Sequence, residues 1–342
     1  MSFRLTRRTL LSGAAAMGAT LTLPLSLRAE GTLRMLTWEG YAEDEWVKEF
    51  EEATGATVNI SYAGSVDEMF AKMASSKGAD FDLVAVDTSS IPRYIDAGLI
   101  QPVDLAKLKN FNNLLPEFQS VKELQHEGKN YGAPFAWGSI GLIYDTNEFA
   151  DNPPDSWATM WDPELEGRLI ALDDANNNIV TAALYLGFED PYNLTDEQFE
   201  QIKKALIDQK QLLATYYSGF DEGVEIWKQN AIVASLAMGE FQAQKMLDQN
   251  MPIKYIIPKE GAIGWLDCLL LSAGAENPDL VYAWIDHVLQ KKIGLELTAK
   301  NAYGNTTSPT PGMEYADRLS WLQPPEDFNK RIAIWNEVKA SL

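Results

Sequence analysis

An α/β protein built as two lobes is what the sequence predicts, on three observations. Strand-like and helix-like patterns alternate from Leu33 onward, the signature of a mostly parallel sheet. The chain has 342 residues, long for one hydrophobic core and comfortable for two. The alternation breaks at Tyr131-Gly132-Ala133-Pro134-Phe135-Ala136-Trp137-Gly138, an extended aromatic run punctuated by Gly and Pro, and then resumes. That break is read as the first crossing between lobes.

Leu33 to Trp38 reads as a short apolar strand. Ala42 to Ala53 places Trp46, Phe50 and Ala53 at helical spacing, with acids in the first turn and Gly55 as the stop. Thr57 to Tyr62 alternates as a strand, and Val66, Met69, Phe70 and Met73 mark the next helix. Phe81 to Val86 is a strand that ends on Asp87-Thr88-Ser89-Ser90, a good helix cap for Ile91 to Ala97. After the break come strands at Ser139–Tyr144, Arg168–Leu172, Leu212–Thr215, Ile232–Ala237 and Lys254–Ile257. Helices at Asn178–Leu186, Thr195–Gln209, Asp221–Gln229 and Glu240–Asn250 are interleaved with them. Ile263 to Ser272 is an apolar strand read as the return to lobe one, followed by helices at Pro278–Gln290 and Ile293–Ala299. Tyr303-Gly304-Asn305 is a third crossing. The tail, Pro324 to Val338, is a last helix packing Phe328, Ile332 and Trp335. Lobe one is thus 30–134 plus 267–304, and lobe two is 135–266 plus 305–342. Several crossings make a hinge, not a flexible tether.

Composition narrows the function. Lys and Arg total 28 against 49 Asp and Glu, a net charge of −21, which argues against nucleic acid and anionic membrane as partners. A single cysteine, Cys268, excludes an intramolecular disulfide. With two histidines, His126 and His287, a Cys/His zinc site is not expected, and a Ser-His or Cys-His nucleophile pair would have to use one of them. The phosphate-loop pattern G-x-x-x-x-G-K-S/T is missing, and no cofactor, metal or catalytic residue is assigned. Residues 1–29 read as an export signal: Thr6-Arg7-Arg8-Thr9-Leu10-Leu11 is a twin-arginine start, an apolar run follows to Leu23, and Leu27-Arg28-Ala29 is a cleavage site. The run is short for a membrane span of about 20 residues. The expectation is a soluble periplasmic protein exported by the twin-arginine route, with no stable membrane anchor.

Ligands of open α/β sheets sit beyond the carboxyl ends of strands. The residues there are Trp38, Glu39 and Tyr41; Asp87, Thr88 and Ser89; Asp173, Asp174 and Asn177; Glu240; Trp265 and Asp267; and Tyr303. The set is aromatic and acidic, without a basic residue. An indole face beside a carboxylate attracts a small organic cation. Rings with paired carboxylates also serve glycoside hydrolysis, the alternative. Some have plainer uses: Asp174 as a helix cap, Glu39 facing solvent, and Glu240 as an acid at a helix start.

The chain resembles the spermidine/putrescine-binding proteins of ABC importers, family 1 extracellular solute-binding proteins. The resemblance runs over Thr37-Trp38-Glu39-Gly40-Tyr41, Phe81-Asp82-Leu83-Val84, Pro134 to Gly138, Ser156 to Trp161, Asp173-Asp174-Ala175, Pro258-Lys259-Glu260-Gly261, Gly264-Trp265-Leu266-Asp267 and Asn301-Ala302-Tyr303. It implies a type II periplasmic-binding-protein fold with the ligand cleft between lobes. It also implies a monomer that hands a polyamine or related small amine to an inner-membrane permease and is not an enzyme. Trp38, Tyr41, Trp265 and Tyr303 would box the methylene chain, and Asp174 and Asp267 would take ammonium groups. Ser89 and an amide near Gln323 would add hydrogen bonds. Two positions depart from the pattern. Asn177 stands where the family has glutamate, and Ala237 where it has tryptophan. Glu240 could restore an anion. Otherwise an amino-acid-like zwitterion, such as a γ-amino acid, becomes an alternative ligand. Arg168 lies at the far end of its strand, so a backbone amide or helix N-terminus would meet that ligand's carboxylate.

Overall fold

The structure, a computed structural model, describes residues 31–341; the export signal expected at 1–29 lies outside them. Its strands are β1 (Thr32–Thr37), β2 (Thr57–Tyr62), β3 (Leu83–Asp87), β4 (Gln125–His126), β5 (Lys129–Asn130), β6 (Gly132–Ile140), β7 (Leu142–Asp145), β8 (Leu169–Leu172), β9 (Leu213–Tyr217), β10 (Ala234–Leu236), β11 (Ile253–Ile256), β12 (Ala262–Leu271), β13 (Gly304–Asn305) and β14 (Leu319–Trp321). The helices are α1 (Asp44–Thr54), α2 (Val66–Ser76), α3 (Ile91–Asp96), α4 (Ala175–Tyr185), α5 (Asp196–Lys210), α6 (Phe220–Gln229), α7 (Glu240–Asp248), α8 (Pro278–Val288), α9 (Lys291–Asn301) and α10 (Phe328–Ala340).

Two sheets carry the two lobes. The first has the order β13-β6-β12-β3-β1-β2, with β14 added on β12. Strands β2, β1 and β3 are parallel, while β12 enters antiparallel between β3 and β6. The second sheet has the order β11-β7-β10-β8-β9. This is the type II two-lobed arrangement that the sequence led one to expect: the returning strand sits in the middle of the first sheet.

The sheet crossings fall a few residues from the boundaries drawn from sequence at 134/135 and 266/267. Strand β6 stays in the first sheet to Ile140, and the chain enters the second only at Leu142. Strand β12 pairs with β6 already from Ile263. Between them Gly141 allows the turn: a Cβ there would lie 2.5 Å from the Ile256 carbonyl oxygen. The tail is also divided. Strand β14 pairs with β12 in the first sheet, whereas α10 packs on α4 and α5 through Ile334, Trp335 and Val338. The buried stripe of α10 is Arg331, Ile334, Trp335 and Val338; of the residues expected there, Phe328 and Ile332 turn toward the cleft instead.

Within β12 the register against β6 shifts between Asp267 and Cys268, which oppose Ala136 and Pro134. Pro134 has no N–H to give a ladder, and such positions accommodate bulges. The bulge leaves Phe135 unpaired, and its ring meets Tyr41 edge-on. A sequence oddity of the crossing segment thereby aims the part of β12 that carries Asp267.

The first lobe is pinned by a buried ion pair. Asp82 is fully buried and accepts hydrogen bonds from Arg34 N, Nε and Nη2 at 2.8, 3.0 and 2.9 Å, and from Glu276 N at 2.7 Å. Burial alone would raise the Asp82 pKa, but Arg34 and these backbone amides outweigh it and hold the carboxyl below its usual range. Asp82→Asn should cost about 1–3 kcal/mol, because charge-assisted hydrogen bonds to a buried acceptor are lost while the part-exposed Arg34 keeps Glu276; urea unfolding reads this. In the wild-type protein this contribution is complete above the unfolded-state carboxyl pKa, near 4, and is lost as pH falls through the lower folded value.

Candidate functional site

A cleft lies between the two sheets at the carboxyl ends of their strands, with a cavity of about 140 Å³. A dry cavity of roughly 150 Å³ admits a benzene-sized molecule, so the space suits a short chain or small ring and not an oligosaccharide. Of the eight residues expected to bind ligand, seven line it: Trp38, Tyr41, Ser89, Asp174, Trp265, Asp267 and Tyr303. Trp38 and Trp265, far apart in sequence, share it.

Asp267 forms its floor. The side chain is buried and accepts the Tyr41 hydroxyl at 2.6 Å. It sits directly across the antiparallel pair from Asp87. Burial first, then the nearby Asp87 charge, push the Asp267 pKa up to about 8, against the opposing pull of the Tyr41 hydrogen bond. Asp87 is engaged locally: it accepts Ser89 N at 2.9 Å, the Ser89 hydroxyl, and the Ser90 hydroxyl at 2.9 Å. The Ser89 hydroxyl therefore spends its proton on Asp87 and faces the cleft as an acceptor.

Aromatic rings make the wall. Tyr303 packs edge-on against Tyr41 (centroids 5.6 Å apart) and Trp265 (5.3 Å), and tilts against Phe241 (5.5 Å). Phe241 in turn meets Phe220, 5.1 Å away. The row thus runs from β1's carboxyl end to α6, across both lobes. A Cβ on Gly40 would lie 3.1 Å from the Asn301 amide, which donates to the Gly40 carbonyl at 2.8 Å and holds the Tyr41 turn against the end of α9.

Asp174 plays two parts. It caps α4, accepting Asn177 N at 2.7 Å, and lines the cleft. Burial raises its pKa to about 6, against the Asn177 bond, with Asp67, Asp87 and Asp173 adding repulsion.

Three expectations are corrected. Glu240 does not line this cleft. It begins α7 after the Gly239 turn, with φ of +95°, and is held by Ser139 and Tyr315 at a separate hollow. Glu39 does not point freely to solvent: it accepts Lys245 Nζ from α7 at 2.7 Å, joining the lobes at the cleft's edge, where Lys245 also meets Asp221 at 3.0 Å. Gln323 is exposed, and its neighbour Leu322 lines the cleft instead.

Sequence reasoning missed Phe220, Asp67 and Arg331. Phe220 adds a ring on the side where Ala237, fully buried, supplies none. Its signal was a lone aromatic at the first helical position after a strand. Arg331 is a basic residue at a cleft expected to have none. Its guanidinium is buried and occupied: Nε and Nη2 donate to Glu326, Nη2 to the Pro191 carbonyl, and Nη1 to Asn176 Oδ1 at 2.6 Å. It therefore does not plug the site as a free cation. An arginine in the apolar stripe of the tail helix was the available clue. Among the described residues no group of three or more His, Cys, Asp or Glu could hold a metal ion, and no helix is long and apolar enough to cross a membrane.

The comparisons agree with this architecture. Residues 45–319 match the model of the bacterial extracellular solute-binding protein family, and the chain belongs to that family. It is 27% identical over 324 residues to the spermidine/putrescine-binding periplasmic protein of Salmonella typhimurium, covering 92% of this chain and 86% of that protein. It is also 27% identical to the putrescine-binding periplasmic protein SpuD of Pseudomonas aeruginosa, over 90% of this chain and 88% of the relative. In solved structures the fold is shared with a putative spermidine/putrescine ABC transporter from Listeria monocytogenes, with a TM-score of 0.80, 21% identity, and coverage of 90% and 99%. It is shared too with a protein of A. tumefaciens B6 in complex with glucopine, with a TM-score of 0.72, 14% identity, and coverage of 90% and 99%.

Two outcomes follow. Folded Asp267 keeps its proton to about pH 8, while the unfolded chain releases it near 4. The folded, ligand-free form then binds more protons in between and loses stability as pH rises across that window. Asp267→Asn should flatten this slope and raise the ligand-free melting temperature at about pH 8; thermal scans across the window check it. Lys245→Met should cost less than about 1 kcal/mol, as a part-exposed pair, yet enlarge the ligand-free radius of gyration in small-angle scattering by releasing Glu39.

Proposed function

We propose that this protein captures a small organic amine of the putrescine/spermidine class in the periplasm and delivers it to the permease of an ABC importer. The observation that carries the reading is the buried Asp267 carboxylate, held by Tyr41 and walled by Trp265 and Tyr303, with no free cation in the cleft lining. An ammonium group seated there donates a charge-assisted hydrogen bond worth about 1.5–3 kcal/mol and makes cation–π contacts worth roughly 0.5–2 each. A few such terms, less ordering costs, reach micromolar affinity, about −8 kcal/mol. The named ligands of the relatives support the class. Closure follows from population shift: the ligand touches both lobes only when they meet, so it favours that state. The protein acts as a monomer, reaches the periplasm by the twin-arginine route, carries no membrane anchor and performs no catalysis. Its binding residues are Trp38, Tyr41, Asp174, Trp265, Asp267 and Tyr303, with Ser89 as an acceptor.

A second reading, an amino-acid-like zwitterion, has its own support. Arg331 donates to Asn176 Oδ1, which leaves both N–H donors of that amide available, beside Asn177 and the first turn of α4. Donors there would suit a carboxylate.

Calorimetric titration with putrescine, spermidine, a quaternary amine and an ω-amino acid separates the readings. Micromolar binding of putrescine or spermidine, weakened at least about tenfold in Asp267→Asn with the fold intact, is the expected result. Because the empty site holds protons, amine binding at about pH 7 should release them, visible as a dependence of the heat on buffer. Unchanged affinity in Asp267→Asn would remove that carboxylate from the site. Binding of the ω-amino acid alone would favour the zwitterion.

A further inference from the structure

Glu240 lies outside the cleft, yet its contacts lead into it. It is the first residue of α7, is 8% exposed, and borders a separate hollow together with Tyr255, Tyr315 and Arg318. Three donors converge on its carboxylate. Ser139 N lies 3.0 Å from both oxygens, and the Ser139 and Tyr315 hydroxyls donate to Oε1, the latter at 2.5 Å. Tyr255 OH stands 2.8 Å from Ser139 Oγ. The same Ser139 residue reaches a cleft-lining ring through its carbonyl, which accepts the Trp265 indole N–H at 3.3 Å. Next to it, a Cβ built on Gly138 would lie 2.5 Å from Trp265 Cζ2 and 2.7 Å from Glu240 Oε2. Bare backbone is all that fits between ring and carboxylate.

We infer that Glu240 is a positioning residue for the binding cleft: through Ser139 it fixes the Trp265 indole, and it ties that ring to helix α7 of the second lobe. The inference rests on the cleft being the ligand site, but not on which ligand enters. A carboxylate suits the task because it only accepts, so it satisfies one N–H and two hydroxyls at once. Its burial is offset by those bonds and by the N-terminus of α7, where negative charge is favoured. A glutamine of the same shape would turn its own N–H groups toward at least one of these donors. Tyr315 adds a third chain segment, between β13 and β14, to the same knot. Any motion of the second lobe that carries α7 therefore pulls on the peptide that holds the ring.

The test labels the tryptophan indoles with ¹⁵N and assigns the Trp265 peak by its loss in Trp265→Phe. In ligand-free Glu240→Gln the Trp265 peak should move while the other indole peaks keep their positions, and putrescine affinity should fall about tenfold. Tyr315→Phe removes one donor and keeps the carboxylate. It should move the same peak less, and it serves if Glu240→Gln does not fold. A folded Glu240→Gln or Tyr315→Phe with a lowered melting temperature and an unmoved Trp265 peak would overturn the inference, since stability alone would then explain Glu240. Failure of the wild-type protein to bind putrescine would overturn the amine reading instead, and the ligand-free peak still decides the role of Glu240.

Discussion

The hydrogen bond from Tyr41 to Asp267 is the contact on which the rest of the site depends. A carboxylate buried without a cation is costly, and on the proposed reading a ligand brings the cation. The structure manages the cost in three ways. Tyr41 supplies one strong donor. Burial and Asp87 leave the group protonated to about pH 8. Asp87 itself is quieted by the hydroxyls of Ser89 and Ser90. The site is thus less charged at neutral pH than its composition suggests.

That local arrangement explains features at a distance. Strand β12 must run antiparallel in the centre of the first sheet to place Asp267 opposite Asp87. The bulge at Pro134 and Phe135 aims it, and Phe135 then supports Tyr41 from below. Asn301 at the end of α9 holds the Gly40 turn and brings Tyr303 into the same cluster. Each of these segments would be free to vary if the site were elsewhere.

The two ends of the cleft differ chemically. The first-lobe end presents acceptors and π-faces. The second-lobe end is mixed: Asp174 is an acceptor raised to about 6, while Asn176, oriented by Arg331, and Asn177 present amides. On the proposed reading, one ammonium group of a diamine would meet Asp267 at the first-lobe end and the other Asp174 at the second-lobe end. The aromatic row from Tyr41 to Phe220 crosses from one lobe to the other, and the Glu39–Lys245 pair joins them at the edge. Ring packing at the centre contributes more than this part-exposed ion pair, which is worth at most about 1 kcal/mol.

Much of this was legible in the sequence, for reasons that are local. Apolar periodicity gave β2 at Thr57–Tyr62 to the residue, and the start of α4 was marked by its cap at Asp174. The Trp-acid pairs at strand ends located the cleft, because strand ends in such sheets converge whatever the loops do. What only the tertiary structure decided depends on which side of a backbone a residue emerges from and on partners distant in the chain. Glu240, after the Gly239 turn, meets Ser139 and Tyr315 instead of lining the cleft. Arg331 reached it because α10 packs across α4, some 155 residues away in sequence. Lys245 found Glu39 across 206 residues. Residue type and spacing set the chemistry available to this chain; the antiparallel insertion of β12 and the docking of the tail decided which groups meet, since side-chain direction and long-range contact leave no periodic trace.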